Sequence, residues 1–124
     1  MTQDRKKVGE RGEGIALSFL KKNKFKILAK NYTCRYGEID IIARDRNNIL
    51  SFIEVKTRTS QSYGAPQEAV HPRKQAQISR VALEFIQRYN LENYPARFDV
   101  IAIELSPAGH AITLIQNDFE LTFP

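Results

Sequence analysis

The chain has 124 residues, enough for one hydrophobic core and too few for two, so a single domain spanning 1–124 is expected. Nineteen Lys and Arg against fourteen Asp and Glu give a formal net charge of +5 and an isoelectric point of about 9.5, which favours an anionic partner, nucleic acid foremost. Cys34 is the only cysteine, which excludes an intramolecular disulfide and a cysteine-rich zinc cluster, and no stretch approaches membrane-spanning length, so the chain reads as cytoplasmic.

From Gln3 to Asn23, Val8, Ile15, Ala16, Phe19 and Leu20 recur at helical spacing after a charged start. The apolar run Ile15 to Leu20 meets Lys21-Lys22 directly and is too short for a signal-peptide core. Phe25 to Tyr32 predicts a short strand and Gly37 to Ala43 a second. The turn cluster Asp45-Arg46-Asn47-Asn48 then joins this second strand to Ile49–Val55 as an antiparallel hairpin. Ser60 to Pro66 reads as a loop hinged at Gly64. Pro72 opens a long helix to Tyr89, with Ile78, Val81, Ala82 and Phe85 as its apolar stripe. Strands Phe98–Leu105 and Ala111–Gln116 follow, separated by a Ser106–Gly109 turn. The order α-β-β-β-α-β-β implies an α/β fold with a mixed five-stranded sheet flanked by helices.

The hairpin carries the chemistry. Residues two apart on a strand share a face, so Glu38 aligns with Asp40 and Glu54 with Lys56. A turn centred on Asn47 sets Asp40 opposite Glu54, Glu38 opposite Lys56 and Ile42 opposite Phe52, with facing Cβ atoms roughly 4.5–5.5 Å apart. Two carboxylates that close repel unless they share a proton or a cation. A hard divalent cation, Mg²⁺ or alternatively Mn²⁺, takes oxygen ligands, and the Asp40 and Glu54 carboxylates with the Val55 carbonyl supply them. Lys56 is placed to position water or to stabilise charge on a phosphate. The plain structural alternative is an exposed hairpin with a Glu38–Lys56 cross-strand pair worth little energy.

These residues resemble the YraN family of bacterial proteins, a branch of the PD-(D/E)xK nuclease superfamily related to archaeal Holliday-junction resolvases. The resemblance runs through Gly12-Glu13, Asn31, Gly37-Glu38-Ile39-Asp40, Phe52 to Arg58, Tyr63 to Val70, Lys74 and Arg97-Phe98-Asp99-Val100. It implies a restriction-endonuclease-like fold and a Mg²⁺-dependent endonuclease acting on DNA structures such as junctions, flaps or ends. Asp40 and Glu54 match the superfamily's metal carboxylates, Lys56 its catalytic lysine, and Glu13 the helical acid of the resolvase branch. Glu13 lies at the rim of the first helix's apolar stripe, with Gly9 and Gly12 allowing close approach to the sheet. This chain has Glu38-Ile39-Asp40 where the superfamily label has Pro-Asp. Resolvase relatives work as dimers, so a homodimer is a further expectation, with Ile112, Leu114 and Phe119 as exposed contacts. The competing function is a catalytically silent nucleic-acid-binding subunit that keeps the basic surface and acts through a partner.

Lys74 projects from the first turn of the long helix toward the sheet, where it and Gln75 are candidate phosphate contacts assisted by the helix dipole. Arg58, directly after the site, is another candidate. Tyr32, Tyr36 and Tyr63 are the aromatics able to stack on bases if their loops line a groove. His71 and His110 lack metal-spaced partners, Cys34 has no nucleophile setting, and Asp99 beside Arg97 reads as a structural ion pair.

Overall fold

The computed structural model describes residues 2–59 and 72–119, with side chains from 5–59 and 72–116. The expected loop of residues 60–66, with Gly64 and Tyr63, and also His71, lie outside the described residues. The elements are α1 (Thr2–Lys22), β1 (Lys26–Cys34), β2 (Gly37–Arg44), β3 (Leu50–Thr59), α2 (Pro72–Arg88), β4 (Ala96–Ser106) and β5 (Gly109–Phe119), in the expected order. No helix among the described residues is long and apolar enough to cross a membrane.

Both helices end by the same local device. Lys24 and Asn90 take left-handed backbone, φ 69° and 57°, and the following N–H reaches back five residues, Phe25 to the Leu20 carbonyl at 3.0 Å and Leu91 to that of Ile86 at 2.9 Å. This satisfies carbonyls that the helix leaves open and turns the chain into the next segment.

The five strands lie in sequence order, β1-β2-β3-β4-β5. All neighbours are antiparallel except β3 and β4, which run parallel in unbroken register from Leu50↔Ala96 to Thr59↔Leu105. A parallel pair needs a long crossover, and α2 lies within it. On one face Ala16 and Leu20 of α1 pack on Ile41, Ala43, Ile53, Ile101, Ile103 and Leu105. On the other, Ile78, Val81, Ala82, Phe85 and Ile86 of α2 pack on Ile42, Leu50, Phe52, Phe98 and Val100. The central strands are therefore covered twice, which is why β4 is almost wholly buried. Ile112 and Leu114 of β5 are half-buried against the α1-side cluster instead of exposed; the Phe119 side chain lies outside the described ones.

The turn between β2 and β3 is held by its own side chain. Asp45 Oδ1 accepts the N–H of Asn47 at 2.8 Å and of Ile49 at 3.0 Å, and Asn48 takes φ 63°. Arg97 of β4 reaches the same turn, donating through Nη1 to Asp45 Oδ2 at 2.8 Å and through Nε to both Asp99 oxygens at 3.0 and 2.9 Å. Ser51 also donates to Asp99. Asp99 is thus a structural partner of Arg97, as expected. Burial works against ionisation of Asp45, yet the Ile49 N–H, Arg97 and the Asn47 N–H together hold its carboxyl below the usual range.

Candidate active site

The hairpin register is the expected one, Ile41↔Ile53, Ile42↔Phe52, Ala43↔Ser51 and Arg44↔Leu50, but the ladder ends at Ile41↔Ile53. One step further, where Asp40 and Glu54 would pair, the strands part. The Val55 N–H turns to the Asp40 side chain and donates to Oδ2 at 2.8 Å. A carboxylate has replaced a strand as hydrogen-bond partner, so the acid is fixed by backbone instead of by a flexible neighbour.

Two irregularities help to place it. Asn31, in β1 between Lys30↔Ile41 and Tyr32↔Ile39, takes φ 50°. Strict alternation would then put Ile39 with Ile41 and Ala43, whereas it packs in the α2-side cluster with Ile42. The alternation of β2 breaks at Asp40. Glu38 accordingly does not sit across from Lys56. It is exposed and accepts a hydrogen bond from Thr33, its partner in β1, at 3.2 Å, because the β2–β3 ladder has already ended.

On β3 the alternation holds. Val55 packs toward α1 and Thr57 touches α1 at Gly12, so Glu54 and Lys56 face the α2 side. Glu54 is nearly buried, with a side chain 12% exposed, and Lys74 of α2 meets its Oε1 at 2.5 Å. Lys74 thus faces the sheet as expected, but it pairs with a site carboxylate. Burial pulls its ammonium down, and the hydrogen bond and charge of Glu54, with the charges of Asp40 and Glu38, outweigh this and raise it above the ordinary value.

Glu13 arrives from the other face. A Cβ at buried Gly12 would stand 2.8 and 2.9 Å from Thr57 Cβ and Cγ2, so only glycine lets α1 lie this close to β3. Gly9 has nothing within 4 Å of that position, so the close approach rests on Gly12 and not on Gly9. The half-buried Glu13 is near enough for its charge to act on Asp40.

Asp40 registers the whole arrangement. Its carboxyl is pushed up to about 7, first by burial, then by the charge of Glu54; the Val55 N–H opposes this, and Glu13 and a hydrogen bond with the Glu54 carboxyl add to it. Near neutral pH Asp40 is therefore partly protonated, the mark of an acid short of positive charge. Oxygen donors at such a place fit a hard divalent cation. Among the described residues no group of three or more His, Cys, Asp or Glu side chains converges as a metal cluster.

Lys56 is half-buried on the Glu54 face. Arg58 follows two residues on, in register with Glu104 of β4, and Gln75 is half-buried on α2. Tyr32 is a packing residue: its ring meets Phe85 edge-on at 5.0 Å and its hydroxyl donates to Glu84.

Fold and site define a small α/β domain with a carboxylate pair at the fork of two central strands, facing a lysine from the crossover helix. The chain belongs to the uncharacterised protein family UPF0102, the YraN family, whose family model matches residues 12–103 and so spans Glu13, Asp40, Glu54, Lys56 and Lys74. A UPF0102 protein of Syntrophus aciditrophicus is 49% identical over 99% of this chain and 95% of its own length. Others from Pelobacter propionicus and Geobacter metallireducens are 50% and 46% identical, over 97% and 99% of this chain and 87% and 100% of theirs.

Proposed function

We propose that the protein is a Mg²⁺-dependent endonuclease, with Mn²⁺ as an alternative ion, that hydrolyses phosphodiester bonds in branched or broken DNA. The supporting observation is the half-buried Asp40 carboxylate, held by the Val55 N–H where the β2–β3 ladder ends and raised by the charge of Glu54. Asp40, Glu54 and the Val55 carbonyl would hold the cation. When bound, it supplies charge that polarises a phosphoryl group and acidifies water.

The chain's own groups do the rest. The Val55 N–H keeps the Asp40 carboxylate oriented. Lys56, on the Glu54 face, orients the attacking water and stabilises negative charge as the P–O bond breaks. Glu13 adds negative charge beside Asp40, and Lys74 offers an ammonium to the phosphate from the first turn of α2. The net charge of +5 brings the polyanion to the site.

One observation favours the silent binding subunit instead: Lys74 already neutralises Glu54 as a cation would. Incubating the protein with junction, flap, single-stranded and duplex DNA, with and without Mg²⁺ or Mn²⁺, separates the two. Metal-dependent cutting by the native chain, lost in Asp40→Ala and Glu54→Ala while both stay folded, supports the nuclease. Native-like cutting by both variants contradicts it, and tight binding without cutting under any ion supports the silent subunit.

A further inference from the structure

A second basic feature adjoins the site. The turn between β1 and β2 abuts α2 at Gln77, whose side chain fills the place of a Cβ on Gly37, 2.7 Å from Nε2; Gly37 itself takes φ 141°. This contact locks the turn onto the helix. Two open depressions, of about 410 and 730 Å³, share Arg35, Tyr36 and Arg80, and Gln77 lines the smaller one. Arg73 lies at the end nearer Lys74, and Leu83 and Gln87 at the other.

The lining is cationic. Arg35, Arg73 and Arg80 are all exposed, and the one acid, Glu84, accepts the Tyr32 hydroxyl and faces Arg88 at 3.8 Å. Arg35 is pre-set: Nη2 donates to the Tyr36 hydroxyl at 2.7 Å and the guanidinium lies 4.8 Å from the ring centroid, while Tyr36 packs on the α2-side core. A guanidinium held this way loses little freedom on meeting a phosphate. Arg73 and Arg80 are seven residues apart, two turns along the same face and roughly 10 Å along the axis. That is about three base-pair rises of a B-form duplex along its axis, at 3.4 Å each.

We propose that this groove is a phosphate track, in which Arg35, Arg73 and Arg80 grip the sugar-phosphate backbone of the DNA strand leaving the Asp40–Glu54 site. The assignment rests on the nuclease reading, and it names how the substrate is held beyond the scissile bond. An extended, open and shallow shape suits a strand, and the chemistry carries no base readout, in keeping with selection by DNA structure.

The test is anisotropy titration of labelled junction and duplex DNA across a salt series. Four proteins are compared: native, Arg80→Ala, Arg35→Ala/Arg80→Ala, and Lys21→Ala/Lys22→Ala, which removes equal charge from the end of α1. The salt slope should fall by about 1 for Arg80→Ala and about 2 for the arginine pair, with affinity weakened on every sequence alike. Arg80→Ala leaves the Arg35–Tyr36 contact in place and so reads the track independently of that turn. The lysine pair should keep the native slope. Equal slopes for the arginine and lysine pairs overturn the track alone, provided the native protein still binds and cuts. Failure of the native protein to bind DNA overturns both the track and the nuclease reading.

Discussion

Two groups of acids share strand β3 and show opposite electrostatics. At its start, buried Ser51, Asp99 and Arg97 join the half-buried Asp45 in a group in which a guanidinium bridges both carboxylates. Three residues on from Ser51, Glu54 meets Asp40 and a single ammonium, with Glu13 adding further negative charge. The first group holds Asp45 below the usual carboxylate range and the second pushes Asp40 up to about 7. Burial acts in the same direction on both acids. What differs is whether the fold supplies enough donors, and a fold that withholds them at one place leaves room for a cation there.

Removing the bridge is the harshest way to break this comparison. Arg97→Met leaves the buried Asp99 and the half-buried Asp45 without their guanidinium, and the loss should be about 3–5 kcal/mol, a large part of a typical domain's stability. Urea denaturation measures it. A midpoint close to native would mean that the group is not the clamp between the β2–β3 turn and β4.

Gly12→Ala comes next. The new methyl meets Thr57, a short β-branched side chain with little room to yield, and overpacking of this kind costs about 1–3 kcal/mol. Thr57→Ala in the same chain should recover part of the lost melting temperature. Absence of any recovery would show that the strain lies elsewhere than between α1 and β3.

The smallest effect distinguishes the two acids by sign. The folded Asp40 carboxyl titrates at about 7 against an ordinary 3.8, so the folded chain holds the extra proton between those values. Its stabilising contribution is complete below about pH 4 and is lost as the pH rises through 7. Asp45, held low, contributes above its ordinary value and loses that contribution only as the pH falls below it. In chelator, Asp40→Asn should therefore melt a few degrees above the native protein at pH 8 and near it at pH 4, with each 1 kcal/mol worth about 4 °C. Melting below native at pH 8 would place Asp40 with the structural acids.

Much of this was legible in the sequence. The seven elements followed from helical and strand periodicity, and Asp45 to Asn48 gave the hairpin register correctly from Ile41↔Ile53 to Arg44↔Leu50. Arg97 with Asp99 was readable as an ion pair because the two residues lie two apart on one strand face. The parting of β2 from β3 at Asp40 was not, since pairing rules extend a register until something interrupts it, and here the interruption is a side chain taking a backbone N–H. Lys74 could be placed on the sheet-facing side of α2 by helical phase, but its partner depends on how α2 lies across the sheet. Arg35, Arg73 and Arg80 converge from a turn and a helix 36 or more positions later, which no local spacing reveals.

The most direct measurement is calorimetric titration of Mg²⁺ and Mn²⁺ into the native chain, Asp40→Asn and Glu54→Gln near pH 7, in buffers of differing ionisation enthalpy. The native protein should take up the ion and release the Asp40 proton, and both variants should lose uptake and release together. Uptake by the variants equal to native, or none by the native protein, would contradict a cation site at the Asp40–Glu54 fork.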